Sequence, residues 1–169
     1  GEGQPTEEVN KQTLPNLNSA IASPDGTKLV ATFNYPISPV VAVYDTGTNT
    51  WERLPEKTFA AAFDPSSQKL AYLKNTSTGG ELDILDLTSK KATKIINLAV
   101  LDGVLNWINK DEIILSQKPT KELTLESWLI NIAKKTVTAL VGSSEASMSS
   151  SNNSAYGLKL TNSKEPKLF

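Results

Sequence analysis

The sequence contains no cysteine and no histidine. Without cysteine the chain has no disulfide, no thiol nucleophile and no thiolate ligand for a metal. Without histidine it also lacks the usual general base near neutral pH, so its own residues cannot assemble a Ser-His-Asp or Cys-His arrangement. We therefore predict no catalytic residue, no cofactor site and no metal site, and a chain that is not itself an enzyme.

Long apolar runs and an excess of charge of one sign are missing as well. No stretch of about 18 apolar residues is present, so we predict no membrane span. The 17 basic and 18 acidic residues give a net charge of −1. Nucleic-acid-binding proteins attract phosphates through a basic excess, so we expect no nucleic-acid partner. Residues 1–13 are polar and without a pattern, and we expect them to form a flexible N-terminal tether.

An internal repeat is what the rest of the sequence does contain. The segment AIASPDGTKLVA at 20–31 recurs 41 residues later as AAFDPSSQKLAY at 61–72. Looser copies follow at the same spacing, NWINKDEIIL at 106–115 and SNNSAYGL at 151–158. A second pattern of strand, polar turn and strand follows the first three copies, at 41–51, 82–92 and 128–137. Each unit therefore predicts four short strands separated by turns.

A period near 42 residues is typical of one β-propeller blade, for which about 40 to 50 residues are expected. We predict an all-β fold in which residues 14–169 form about three and a half four-stranded blades of a larger propeller. The blades are expected at 14–55, 56–98, 99–142 and, incomplete, 143–169. The predicted strands are 18–23, 28–34, 40–45 and 50–54, then 58–63, 69–74, 81–87 and 92–97, then 103–108, 112–117, 124–132 and 136–141, with two more and the start of a third in 146–169.

The first blade carries a recognisable motif. Its Ser23-Pro24-Asp25-Gly26-Thr27-Lys28-Leu29 segment, followed by Val43-Tyr44-Asp45, resembles the SPDG-type repeat of TolB-like bacterial propellers, which are related to WD-type repeats. The resemblance implies a protein-binding scaffold of the bacterial cell envelope or surface, located outside the cytoplasm in the periplasm or at the cell surface. The alternative is the propeller part of a larger hydrolase, such as a prolyl-oligopeptidase-like enzyme, where it controls substrate access.

An aspartate recurs near the first turn of each of the first three units, at Asp25, Asp64 and Asp111. Calcium binding or a sialidase-type Asp box is one interpretation, but that box needs its glycine one place later and a tryptophan after it. We therefore interpret these aspartates as turn formers. Asp83 and Asp86 have opposite parity on one strand, so they cannot flank one scissile bond.

Loops between the second and third strands of each blade, together with the links between blades, are expected to share one face. These are 34–39, 75–80, 117–122, 55–57 and 98–101. The loop at 34–39 presents a tyrosine and an isoleucine on a backbone stiffened by two prolines, which suits contact with a protein, although a plain connecting loop remains the other interpretation. The candidate protein-binding residues are Tyr35, Pro36, Ile37, Lys74 and Lys118.

The predicted number of blades is low for a closed ring, which normally has about 4 to 8. Either the chain belongs to a longer protein or a second chain completes the propeller. The partner that such a scaffold would bind is expected to be a protein, and its identity stays open.

Overall fold

The computed structural model describes residues 16–100, 102–118, 126–142, 148–151, 154–159 and 167–168. Every strand pair in these ranges is antiparallel, and the strands are grouped in four sheets. The tether predicted for residues 1–13 lies outside them. Among the described residues no helix has the length and hydropathy needed to cross a bilayer.

Three sheets have four strands each, connected in sequence order. Blade one contains β1 (Leu17–Ala22), β2 (Lys28–Phe33), β3 (Val40–Asp45) and β4 (Thr50–Arg53). Blade two contains β5 (Thr58–Phe63), β6 (Lys69–Thr76), β7 (Gly79–Asp86) and β8 (Ala92–Leu98). Blade three contains β9 (Gly103–Asn109), β10 (Glu112–Gln117), β11 (Glu126–Asn131) and β12 (Thr136–Gly142). A three-stranded sheet follows, with β13 (Met148–Ser151), β14 (Ser154–Lys159) and β15 (Lys167–Leu168).

Within the described residues the predicted strands are confirmed except near the β6–β7 connection; the predicted strand start at 124–125 and residues 119–122 of the predicted loop at 117–122 lie outside them. Strands β6 and β7 continue to Thr76 and from Gly79, so the connection is a turn at residues 77–78 and the predicted loop at 75–80 is wrong. Two glycines let the end of β8 and the link after it lie directly on this hairpin. A Cβ on Gly79 would be 2.5 Å from the carbonyl oxygen of Leu98, and one on Gly80 2.5 Å from that of Val100.

Aspartates form the turns between the first two strands of blades one and two, as predicted. The Asp25 carboxylate accepts hydrogen bonds from the Ser23 hydroxyl at 2.6 Å and from the Thr27 amide at 3.0 Å. Gly26 then adopts a left-handed φ of 72°, and Ser67 holds the equivalent place in blade two with a φ of 61°. Such a φ favours glycine because a side chain there crowds the backbone.

The turns between the third and fourth strands repeat with the same regularity. Each starts with a side-chain oxygen that accepts amide hydrogen bonds from the turn, and each ends with a left-handed residue. The accepting residues are Asp45, Asp86 and Asn131, and the left-handed residues are Asn49, Lys90 and Lys135.

Apolar side chains are buried between the blades, in two clusters. Strand β5 of blade two contacts β2 and β3 of blade one, and β9 of blade three contacts β5 and β6. The first cluster joins blades one and two through Val30, Val41, Val43, Leu54, Phe63, Leu70, Tyr72 and Leu87. The second joins blades two and three and includes Leu73, Leu82, Trp107, Ile113, Leu115 and Ile130, all buried. Alternate residues of β6 face opposite neighbours, as residues packing one blade against the next should.

The first strands of the three blades converge. Side chains of β1, β5 and β9 line one cavity of about 360 Å³, with Ile21, Ala61 and Val104 on its walls. In each blade consecutive strands run in opposite directions. The loop between the second and third strands and the links between blades therefore lie at one edge, and the turns between the first and second and between the third and fourth strands lie at the opposite edge. We call the first edge the loop face.

Candidate functional site

Three side chains from two blades and a link meet on the loop face. The hydroxyl of Tyr35, in the β2–β3 loop, donates a hydrogen bond of 2.6 Å to Asp102 Oδ2. Lys118, at the end of β10, places its ammonium 3.2 Å from Asp102 Oδ1 and 3.8 Å from the centre of the Tyr35 ring. The carboxylate thus accepts a hydrogen bond from a phenol and forms an ion pair with a cation, and that cation also lies over the aromatic face.

The backbone of the Tyr35 loop is held by the start of blade one, at β1 and the residue before it. The Tyr35 amide donates to Asn18 Oδ1 at 2.8 Å, and Asn18 Nδ2 donates to the Tyr35 carbonyl at 3.3 Å. The Asn34 amide donates to the Asn16 carbonyl at 3.0 Å, and the Ser38 amide closes the loop on the Asn34 carbonyl at 3.1 Å. Five hydrogen bonds, including that to Asp102, hold this loop in one conformation.

Among the described residues of this face, Ile37 is the most exposed large apolar one, at 95%. It stands between two depressions, one lined by Asn16, Leu17 and Tyr35, and the other a groove of about 500 Å³ towards blade two. Pro36 is also exposed and follows a cis peptide bond. A rigid, exposed aliphatic side chain costs little conformational entropy on binding.

Lys74 lies in strand β6 and not in a loop. Its ammonium is 2.7 Å from Glu81 Oε1 and 2.7 Å from Asp83 Oδ2, so it bridges two carboxylates of the neighbouring strand. These hydrogen bonds raise the pKa of Lys74, and the bond to Asp83 is the largest cause. The hydrogen bond from Lys74 in turn lowers the pKa of Glu81. Lys74 is therefore engaged within blade two, and its role in partner binding stays a prediction.

Sequence reasoning missed Asp102 and Asn18, which hold the predicted residues in place. Asp102 directly follows the predicted link at 98–101. An acidic residue beside a loop-face link could have been predicted to pair with Lys118 on the same face. Asn18 lies in the predicted first strand, where nothing in the pattern distinguished it from the other polar residues. Among the residues that the structure describes, no group of three or more acidic side chains could hold a metal ion.

No protein-family model matches the sequence, and no curated protein is similar to it in sequence. Solved structures do match in fold. TolB from Acinetobacter baumannii matches with a TM-score of 0.67 and 14% identity, over 90% of this chain and 40% of that one. An acylaminoacyl peptidase from Pyrococcus horikoshii matches with a TM-score of 0.66 and 10% identity, over 90% and 29%.

The β-propeller domain of the Trilobed protease from Pyrococcus furiosus matches with a TM-score of 0.64 and 12% identity, over 89% of this chain and 50% of that domain structure. The chain thus spans half or less of the length of each of these three. The predicted fold is confirmed: the chain has the blade architecture of a β-propeller, similar to TolB and to the propellers of peptidases. At such low identity the similarity shows the fold alone.

Proposed function

We propose that this chain forms part of a non-catalytic, protein-binding β-propeller scaffold of the bacterial cell envelope or surface, and that its loop face contacts the partner. The observation that carries the proposal is Ile37, 95% exposed on a loop whose backbone and neighbouring Tyr35 are already held by hydrogen bonds. Protein interfaces use such preorganised aromatic and aliphatic anchors. The sequence, which lacks cysteine and histidine, offers no thiol or imidazole for catalysis.

The location outside the cytoplasm rests on the resemblance of the SPDG repeat to TolB-like propellers, which the fold of TolB from A. baumannii supports. Tyr35, Pro36, Ile37 and Lys118 are the proposed contact residues. Asp102 is proposed as a positioning residue, since it holds Tyr35 and Lys118 together.

Site-specific photo-crosslinking in the bacterial host tests this proposal. A benzophenone amino acid at position 37 is expected to give a discrete protein adduct, because that side chain would touch the partner. The matched control places the same amino acid at Thr88, which is exposed in the β7–β8 turn at the opposite edge. Adducts of equal yield at both positions, or none at position 37, would contradict a contact surface on the loop face.

A second candidate is the propeller of a larger hydrolase, and the similarity to an acylaminoacyl peptidase favours it. In that case the reacting serine and its base would belong to another part of the full protein. Labelling of the full-length protein with a fluorophosphonate probe distinguishes the two. A covalent label outside these 169 residues supports the hydrolase, whereas an unlabelled protein that still crosslinks at position 37 supports the scaffold.

A further inference from the structure

The groove on the blade-two side of Ile37 differs chemically from the rest of the loop face. It lies between the β2–β3 loop and the link from β4 to β5, and has a volume of about 500 Å³. Its walls include Ile37, Pro39 and Pro55, and its rim includes Arg53, Glu56 and Lys57. Apolar walls with a few charged groups at the edge are typical of a binding site.

The floor and rim of this groove are rigid. The Thr58 amide and hydroxyl both donate to the Pro55 carbonyl, at 3.2 and 2.7 Å, and Thr58 is itself buried. The Leu54 amide donates to the Val41 carbonyl at 2.9 Å, and the Asn75 amide donates to the Lys57 carbonyl at 3.0 Å. The link is therefore bonded to strands of both blades, which holds the groove open in one shape.

The rim carries cations without a counter-charge. Arg53 and Lys57 are exposed, and within the described part of the chain no carboxylate forms an ion pair with either. Glu56 is the acidic residue of the groove, and it forms no ion pair with them. Some lysines elsewhere on the blades are paired, Lys28 with Asp45 and Lys90 with Glu52 among them, while others, such as Lys91, form no ion pair with a described residue. The groove has one more basic residue than acidic residues.

We propose that this groove binds an extended, acidic peptide segment of the partner protein, and this inference rests on the function proposed above. A carboxylate of the segment would pair with Arg53 and Lys57, and an adjacent aliphatic side chain would pack against Ile37. A concave groove between two proline-lined walls suits a chain that enters it. A flat membrane surface would reach only its rim.

Fluorescence anisotropy with a defined probe tests the inference on the whole 169-residue protein. The probe is the amidated peptide Gly-Leu-Asp-Leu-Asp-Gly with a neutral fluorophore, and its counterpart carries asparagine in place of both aspartates. We expect the acidic peptide to bind more tightly than the amide counterpart, and its affinity to fall as salt shortens the Debye length from about 30 to about 3 Å. Equal affinity for the two peptides would overturn the inference, as would an absence of binding.

Charge variants of exposed residues locate the site. Arg53→Gln and Lys57→Gln are each expected to weaken binding by about 1.5- to 5-fold, the range of an exposed ion pair. Glu56→Gln is expected to strengthen it, because it removes the repelling carboxylate. Lys91→Gln, which makes the same change in net charge at the opposite edge, is expected to leave affinity unchanged, and an equal effect there would show non-specific attraction and overturn the inference.

Two further outcomes separate this inference from its alternatives. Co-sedimentation with anionic phosphatidylglycerol vesicles, without peptide binding, would assign the groove to a membrane surface and overturn a peptide site. Loss of peptide binding in every assay, with the crosslink at position 37 retained, would reject the groove while leaving the proposed scaffold function in place.

Discussion

At the scale of single residues, the turn aspartates are the most strongly perturbed acids. The Ser23 hydroxyl first, and then the Thr27 amide, lower the pKa of Asp25 from 3.8 to about 2. Asp45 begins the β3–β4 turn of the same blade. Its pKa is lowered from 3.8 to about 2, and the hydrogen bond from Lys28 is the largest cause. A depressed pKa in the folded state stabilises the fold above the unfolded pKa, and this contribution is lost as the pH falls from about 3.8 towards about 2.

We predict that Ser23→Ala raises the pKa of Asp25 towards 3.8, because the largest cause of its depression is removed. The pKa of Asp45 is expected to stay at about 2, since its partners Lys28, Thr48 and Gly47 are unchanged, which makes it an internal control. Carboxyl-carbon NMR titration from pH 1 to pH 6 measures both. An Asp25 that still titrates near 2 in the variant would show that its remaining donors, Thr27 and Ser67, are sufficient to depress the pKa.

At the scale of one blade, a charged network ties β6 to β7 and β8. Lys74 lies between Glu81 and Asp83, and Lys94 of β8 approaches Glu81 Oε2 at 2.5 Å. The Asp83 side chain is only 4% exposed, and the Lys74 ammonium is the cation paired with it. Burial first, and then the Asp83 charge, raise the pKa of the neighbouring Tyr72 hydroxyl. This network identifies Lys74 as a structural residue of the sheet.

We predict that Lys74→Met destabilises the chain by about 2 kcal/mol, because it leaves a buried carboxylate without its cation. This loss is smaller than the roughly 3 to 5 kcal/mol expected for a fully buried pair, since Lys74 is partly exposed. Lys94→Met is the matched control, because Lys94 is half exposed, and is expected to cost about 0.5 kcal/mol or less. Urea denaturation followed by tryptophan fluorescence gives both values. Equal losses in the two variants would refute the special role of Lys74.

At the scale of the whole molecule, the blades are joined by apolar clusters and by a hydrogen bond at the edge opposite the loop face. The Asp25 amide of blade one donates to Ser67 Oγ of blade two at 3.1 Å. Ser67 is buried and left-handed, at the place that Gly26 holds in blade one. The chain therefore accepts backbone strain at Ser67 and gains a contact between blades.

We predict that alanine and glycine at position 67 change the stability of the chain by different amounts, because the hydrogen bond and the backbone strain at Ser67 act in opposite directions. Ser67→Ala loses the acceptor and keeps the strain, so it is expected to cost about 1 kcal/mol. Ser67→Gly loses the same acceptor but removes a strain of about 1 kcal/mol, so its stability is expected to stay near that of the original chain. Ser77→Ala, in the exposed β6–β7 turn, serves as the control. An alanine variant as stable as the glycine variant would contradict the assigned strain.

The sequence by itself determined the repeat, and with it most of the architecture. A period near 42 residues with apolar residues at alternate positions allows one arrangement of strands, because a shift of one residue would turn every apolar side chain to the wrong face. Asp25 and Gly26 marked a turn for the same local reason, since short polar side chains and a residue free of Cβ satisfy the bent backbone. The sequence also placed Tyr35, Ile37 and Lys118 on one face.

Only the tertiary structure decided which side chains meet. Tyr35, Asp102 and Lys118 are far apart in the sequence, and their contact depends on how three blades rotate about a common axis. Lys74 was predicted at the end of a strand beside a loop, but the glycines of β7 allow the hairpin to extend beyond it. The structure likewise places Arg53 and Lys57 at the rim of one groove, because the link between β4 and β5 lies along it. Local sequence patterns predict turns and strands because these depend on hydrogen bonds between residues close in the chain. The contacts of a binding site depend on how different blades pack against each other, and the blades differ in their side chains although they share the repeat.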